Sequence, residues 1–484
     1  MRTIHILLAS VLVIASFFTM AFTSFAAGEK ASGITDATFS DVIMNVGANE
    51  TERNVTWYSN YKTTGEVQYA KYTGTSFPSV YSTAPARVAD ANEEGHYSYK
   101  ATITNLEANT TYVYRLVTGN TYSDMRTFTV NEFGDEFSFV YLADPQTGGL
   151  SYKVKWENLL ESINTNFPTA SLIVSGGDQI SAATSEENYE YFIVDGTSKI
   201  AIAPTNGPAH DNSVLYRDHF NLPNLSSEYG VTPTTADYYY TYNNVLFVHF
   251  NVESKDNDAH IEFLERAIAN NPDALWTIVV MHFSLYSGGS ENHSALGNAL
   301  VGRMNELGVD IVLSGHDHYY VRSELMTSYD VESGDTVVNN IVNDPKGTLF
   351  VCADTATGEG TYSQSRDHHT ALYVPNPSRR LNAMIFEVTE TSLSFKSYYL
   401  DGTTPEVFDH FTINRTAPKV RVSSTDVLEL LVGEERKAII GAYDYTSATV
   451  KVVDGYWSVS TNGGASYTSL GVAATDASEN DVIT

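Results

Sequence analysis

The residues able to do chemistry fall into five short groups, each placed just after an apolar run. Asp144-Pro145-Gln146 follows the run 137–143, and Gly176-Gly177-Asp178 follows Leu172-Ile173-Val174. Asn206-Gly207-Pro208-Ala209-His210-Asp211 follows 200–203, His282 ends Val279-Val280-Met281, and Gly315-His316-Asp317-His318 follows Ile311-Val312-Leu313. In open α/β sheets ligands bind beyond the carboxyl ends of the strands, so the five groups are expected on one rim. Asp144, Asp178, His282, His316 and His318 offer carboxylate oxygen and imidazole, a set that suits zinc, manganese or iron better than calcium or magnesium. Two such ions about 3.5–4 Å apart clamp the attacking and leaving oxygens of a phosphoryl transfer, with one carboxylate bridging them. A bound hydroxide is then the natural nucleophile, because the metal lowers the pKa of water towards about 7. The glycines let the backbone turn sharply beside the ions. With Cys352 as the lone cysteine, an internal disulfide, a zinc finger and an iron–sulfur cluster are excluded.

The elements that must position these groups alternate strand and helix. The run 137–143 reads as a buried parallel strand. Trp156, Leu159, Leu160, Ile163 and Phe167 recur at helical spacing, as do Ile261, Leu264 and Ile268, and Leu296, Leu300, Met304 and Leu307. Tyr238 to Tyr242 and Val245 to Phe250 flank Asn243-Asn244, a hairpin signal. This alternation predicts an α/β core over 135–415 made of two facing sheets flanked by helices. The strands between Gly347 and Leu400 are expected to close the second sheet. Residues 34–130 instead read as short alternating strands, and Leu106 to Tyr114, a turn followed by Tyr112 and Tyr114, resembles the tyrosine corner of a fibronectin III-like β-sandwich. Residues 416–484 return to β-type alternation and are expected to form a C-terminal β-rich accessory domain, short enough to be incomplete.

Asp144, Gly177-Asp178, the stretch ending His210-Asp211, Val279-Val280-Met281-His282 and Gly315-His316-Asp317-His318 resemble, in that order, the motifs of the calcineurin-like metallophosphoesterases. The preceding β-sandwich resembles the purple acid phosphatases specifically, and the resemblance spans roughly 35–415. It implies an αββα four-layer sandwich. It implies that Asp178 bridges two ions, that Asp144 and His318 hold one, and that His282 and His316 hold the other. His210 is then the acid serving the leaving oxygen, oriented by Asp211, and His293 contacts substrate. Three departures stand out. The family's tyrosine three residues after the bridging aspartate is Ser181 here, so a divalent pair (Fe, Mn or Zn) and a colourless protein are expected. Gln146 stands where related enzymes place a histidine, and its amide oxygen is a weak ligand. The asparagine expected before His210 is Ala209, which leaves Asn206 as the ligand if the chain carries a one-residue insertion.

The chain has 484 residues and a formal net charge of −30. With no long basic run, neither nucleic acid nor an anionic membrane surface is an expected partner. Arg2, the apolar run 6–20 and Ser24-Phe25-Ala26 read as a cleaved secretory signal over 1–27, leaving no stable membrane span. The expected protein is a secreted phosphate monoesterase acting through a dinuclear metal-hydroxide centre. A phosphodiesterase or nucleotidase of the same fold is the alternative within the enzyme class. A cell-surface binding protein with a degenerate metal site is the alternative outside it, and a third reading makes the β-domains cell-wall or carbohydrate attachment modules that carry the enzyme. His5, His96, His219, His249, His260 and His410 are expected to be core or surface residues, His368-His369 a surface loop, Arg322, Glu359 and Arg366 solvated, and Cys352 buried.

Overall fold

The computed structural model describes residues 37–416 except 135, 287–292, 361–371 and 374–378, together with four strands beyond 416. The segment 1–27, Arg366 and His368-His369 lie outside the described residues. Among the described residues no helix is long and apolar enough to cross a membrane.

Two sheets face one another in the catalytic region. One carries the parallel strands Phe137–Leu142, Ala170–Ser175 and Ala201–Pro204. The other carries Val245–Phe250, Trp276–Met281, Ile311–Ser314 and Thr348–Cys352, also parallel. Side chains alternate across each strand, and both sides are apolar because both are covered. Phe139, Tyr141, Leu172 and Val174 meet Phe247, Ile278, Val280, Leu313 and Val351 between the sheets. Val140, Leu142 and Ile173 face outward onto Trp156, Leu159 and Ile163 of helix Leu150–Asn166. Val248, Val279, Met281 and Val312 face outward onto helices Asn257–Asn270 and Ser294–Glu306. The period of two in the strands and of 3.6 in the helices thus produces four layers, helix, sheet, sheet, helix. Phe139 is the pin of the middle: it stacks on Phe386 at 4.6 Å and meets Phe247 edge-on at 5.2 Å.

The hairpin at Asn243-Asn244 forms, with Tyr242 opposite Val245. The expectation for 347–400 is corrected. Among the described residues, Thr348–Cys352 joins the second sheet beside Ile311–Ser314, and the short strand Leu372–Tyr373 pairs with Val321–Ser328 of the same sheet. Asn382–Val388 pairs antiparallel with Phe137–Leu142, and Ser392–Tyr399 follows it, so both extend the first sheet. A chain returning by a hairpin can add to either sheet, and strand propensity does not distinguish them.

The N-terminal region is a β-sandwich in which strand Ser82–Asp90 pairs on one side with Gly65–Lys71 and on the other with Tyr97–Ile103. Tyr112 Oη accepts the Glu107 N–H at 2.9 Å, tying the turn to the strand that follows it. Its first strand, Ser40–Val46, runs parallel to Ala201–Pro204, so the sandwich continues the catalytic sheet. Asn45 fastens this seam: Nδ2 donates to Ile202 O at 3.1 Å and Oδ1 accepts the Asn221 N–H at 3.0 Å, with the residue fully buried. Beyond 416 the strands Glu435–Ala438, Ala448–Val453, Tyr456–Ser460 and Thr468–Val472 form an antiparallel meander. Replacing Asn45 with Ala strands a buried carbonyl and a buried N–H, each costing about 1–3 kcal/mol. Urea unfolding of Asn45→Ala is expected to show a loss of at least about 2 kcal/mol, and an unchanged midpoint would refute the seam's importance.

Candidate metal centre

Each site residue sits where a strand of one of the facing sheets ends. Asp144 follows Phe137–Leu142, Asp178 follows Ala170–Ser175, Asn206 follows Ala201–Pro204, His282 follows Trp276–Met281, and His316 and His318 follow Ile311–Ser314. Five of the site residues adopt left-handed backbone: Asp144 at φ +50°, Gln146 at +42°, Asp178 at +45°, His316 at +74° and His318 at +54°. This region is uncommon for residues with a Cβ, and such a concentration of strain marks a site over-determined by its surroundings. Glycines make room for it. A Cβ on Gly177, itself at φ +110°, would lie 2.2 Å from His282 Nδ1, and one on Gly315 would lie 2.3 Å from Asp144 Oδ2.

Asp144, Asp178 and His282 each bring one ligand atom into a group whose members all lie within 4.8 Å of one another. All three side chains are buried. Asp144 Oδ2 accepts the His316 N–H at 2.9 Å. Its Oδ1 lies 3.4 Å from His318 Nε2 and 3.9 Å from His282 Nε2, and among the described residues no hydrogen-bond donor satisfies it. His316 Nδ1 lies 3.3 Å from His282 Nε2. Asp178 Oδ1 accepts the Ala209 N–H at 3.0 Å, and Oδ2 lies 3.3 Å from Gln146 Nε2 and 3.4 Å from His282 Nε2.

The rings are oriented from behind. His282 Nδ1 is 2.8 Å from Gly176 O, and His318 Nδ1 contacts Gly360 O. A carbonyl only accepts, so Nδ1 carries the proton in each and Nε2 is the atom offered to the centre. Burial opposes charge on His282, but Asp178 beside it prevails and raises its pKa to about 10. In Asp178 burial pushes the carboxyl up, and the charge of His282 outweighs it and holds the group below the usual carboxylate range. In His318 burial is likewise overcome, by Asp144, and the pKa is raised.

The other candidates are placed differently. Asn206 is buried and directly precedes Gly207, which packs on Asp178 and His282; its Nδ2 donates to Asn251 Oδ1 at 2.8 Å, and its Oδ1 has no donor among the described residues. Gln146 donates to Asp178 through Nε2 rather than presenting an isolated oxygen. His293 stacks on Phe283 at 4.9 Å and lies 5.6 Å, ring to ring, from His316. His210 is fully buried, accepts the Gln179 N–H on Nε2 at 3.3 Å and meets Tyr189 Oη on Nδ1 at 2.8 Å. Burial lowers its pKa to about 3, so it is a neutral ring with both nitrogens engaged by the protein. Asp211 bonds Asn212 at 2.8 Å. Ser181 Oγ donates to Gln146 O at 2.7 Å. Arg322 is corrected from solvated to buried, gripping Asp409 through Nε at 2.8 Å and Nη2 at 3.3 Å.

Two residues escaped the sequence reading. Asp354 follows strand Thr348–Cys352 and is buried; burial raises its carboxyl to about 7 although His318 draws it down. The rule that singled out the other strand ends applied to it equally. Asn251 follows Val245–Phe250 by the same rule but carries no charge to draw attention.

Residues 40–130 match the Purple acid Phosphatase N-terminal domain, and residues 137–320 match the Calcineurin-like phosphoesterase family. The chain thus carries a purple acid phosphatase N-terminal domain followed by a calcineurin-like phosphoesterase domain. Its reaction class is therefore the hydrolysis of phosphoric esters. The fold of this phosphoesterase is similar to that of a purple acid phosphatase from yellow lupin (Lupinus luteus) seeds, at 16% identity and a TM-score of 0.64, over 78% of this chain and 74% of that one. It is also similar to PhoD, at 13% identity and a TM-score of 0.52, over 79% and 92%. No curated protein matches the phosphoesterase in sequence.

His249 gives a test that leaves the centre untouched. The ring is buried, Nδ1 lies 2.8 Å from Thr205 Oγ1, and burial holds its pKa well below 6.5. A histidine lowered in the fold supports stability above its unfolded value, about 6.5, and that support is lost as pH falls below it. Chemical denaturation of His249→Gln across pH 7.5 to 4.5 (about two units below the transition) is expected to show a shallower acid loss than the parent. Parallel curves would count against a neutral buried ring.

Proposed function

We propose that this chain is a secreted metal-dependent phosphatase that hydrolyses phosphate monoesters. The observation that carries the reading is the meeting of Asp144, Asp178 and His282 within 4.8 Å, around a buried Asp144 oxygen that no donor satisfies among the described residues. Buried like charges are stable only with a compensating cation, and these residues are of the types that hold zinc, manganese or iron. They fit a divalent pair: Asp144 and His318 would hold one ion, His282, His316 and Asn206 the other, and Asp178 would serve both. Bound there, the pair supplies Lewis acidity and a water made acidic near neutral pH.

The chain's own residues do the rest. Gly176 O and Gly360 O hold two rings with Nε2 forward. The Ala209 N–H and Gln146 amide hold the Asp178 carboxylate in a single orientation. Phe283 supports His293 beside His316, where its imidazole can meet substrate phosphate. His210, neutral and tied by Gln179 and Tyr189, braces the loop after Asp178. The net charge of −30 disfavours anionic substrates at distance, but screening confines that field to about 8–10 Å and the cations dominate inside it.

Ser181 at the position of the family's tyrosine supports a divalent, colourless centre. The metal-loaded protein is expected to lack the visible band of a phenolate–iron(III) pair, and a purple or pink sample would overturn this. Phosphatase activity on a monoester is expected to vanish on chelation and return with Mn(II) or Zn(II). His282→Ala and His316→Ala are each expected to lose at least about a hundredfold in kcat/KM, given that outer partners of metal ligands alone are worth 10–100-fold. Products from a diester at a comparable rate would favour the phosphodiesterase, and fewer than one ion per reconstituted chain would favour a binding protein. Export rests on Arg2, the apolar run 6–20 and Ser24-Phe25-Ala26. N-terminal sequencing of the released protein is expected to begin near Gly28, and retention of Met1 would refute cleavage.

A further inference from the structure

We infer that Asn251 is a positioning residue that fixes Asn206 as an oxygen donor to a divalent cation, an inference that rests on the dinuclear reading above. An asparagine amide presents an oxygen or a nitrogen to a given direction depending on a half-turn of its last bond, and only the oxygen can hold a cation. Here the surrounding hydrogen bonds leave one choice.

Asn251 is buried, and its Nδ2 lies 2.6 Å from Gly230 O, 3.1 Å from Thr232 Oγ1 and 3.4 Å from Thr235 O. Two of these partners are carbonyls, which only accept, so the donor end of Asn251 must face them. Its Oδ1 therefore faces Asn206, at 2.8 Å, and an oxygen there can be met only by the Asn206 N–H. The Asn206 oxygen is turned the other way, buried and without a donor among the described residues. The next residue, Gly207, packs directly on the centre: a Cβ there would stand 2.3 Å from Asp178 Oδ1 and 2.8 Å from the His282 ring.

The bracket holding Asn251 is itself rigid. Its backbone N–H donates to Asp237 Oδ1 at 2.7 Å. The other carboxylate oxygen, Oδ2, lies 2.7 Å from His260 Nδ1, and His260 Nε2 reaches Ser254 Oγ at 3.1 Å. Gly230, at φ +62°, leaves room for that carboxylate, since a Cβ would stand 1.9 Å from Asp237 Oδ1. Nothing in this set touches substrate; it acts by denying Asn206 its alternative amide orientation.

The test is Mn(II) binding to the full chain, by chelator competition and metal analysis, with apo thermal unfolding recorded alongside. The parent is expected to bind two ions. Asn206→Ala and Asn251→Ala are each expected to weaken one of them about 10–100-fold, the range for outer partners of ligands, and to spare the other. The double variant is expected to bind as weakly as Asn206→Ala alone, while the apo stability cost of Asn251→Ala persists in both backgrounds. Unchanged affinity in Asn251→Ala, or an additive loss in the double variant, would overturn the positioning role. If Asn251→Ala does not fold, Asn251→Ser keeps a hydroxyl donor on that side but withdraws the oxygen that faces Asn206, and is expected to weaken the same ion; unchanged affinity would overturn the positioning role. A parent chain that binds no Mn(II) or Zn(II) would instead overturn the dinuclear reading itself.

Discussion

Two carboxylates are buried in one pocket, and each would be repelled by the other without positive charge between them. The neighbouring imidazoles are able to carry that charge. Burial disfavours a proton on His282, yet Asp178 and Asp144 hold it there up to a pKa of about 10. The centre is thus organised around a cation whether the cation is a proton or a metal. The backbone conforms to the same demand. Asp144, Gln146, Asp178, His316 and His318 all take left-handed angles that bring their side chains inward, and glycines vacate the space those side chains fill.

Strain of this kind persists only on a stiff base. The strands behind the site are covered on both faces, and Phe139, Tyr141, Ile278, Val280 and Leu313 between the sheets are all fully buried. Close packing there steadies the strand ends, and a metal site needs its ligands held to within about 0.5 Å. The polar work is delegated to backbone groups: carbonyls of Gly176 and Gly360 orient rings, and amides of Ala209 and His316 orient carboxylates.

The layered core and the ends of its strands were legible because burial on both faces writes continuous apolar runs, and the ligands sit immediately after them. Asp144, Asp178, His282, His316 and His318 meet for that reason. The assignment of Asn382–Val388 to the first sheet was not legible, since pairing partners separated by more than two hundred residues leave no local mark. His210 shows a different limit. Sequence gives its spacing from the strand, but not that Gln179 and Tyr189 occupy both of its nitrogens. Asn251 shows a third: it is neutral, unremarkable in composition, and defined wholly by what surrounds it.

The pairing of Ser40–Val46 with Ala201–Pro204 gives the N-terminal sandwich a task of its own. Without it, the strand leading to Asn206 would be a bare margin, its amides and carbonyls open to any passing chain. The sandwich therefore shields the hydrolase from self-association as well as lengthening its sheet. Taking it away would bare that edge, so the seam couples the integrity of one region to the presence of the other.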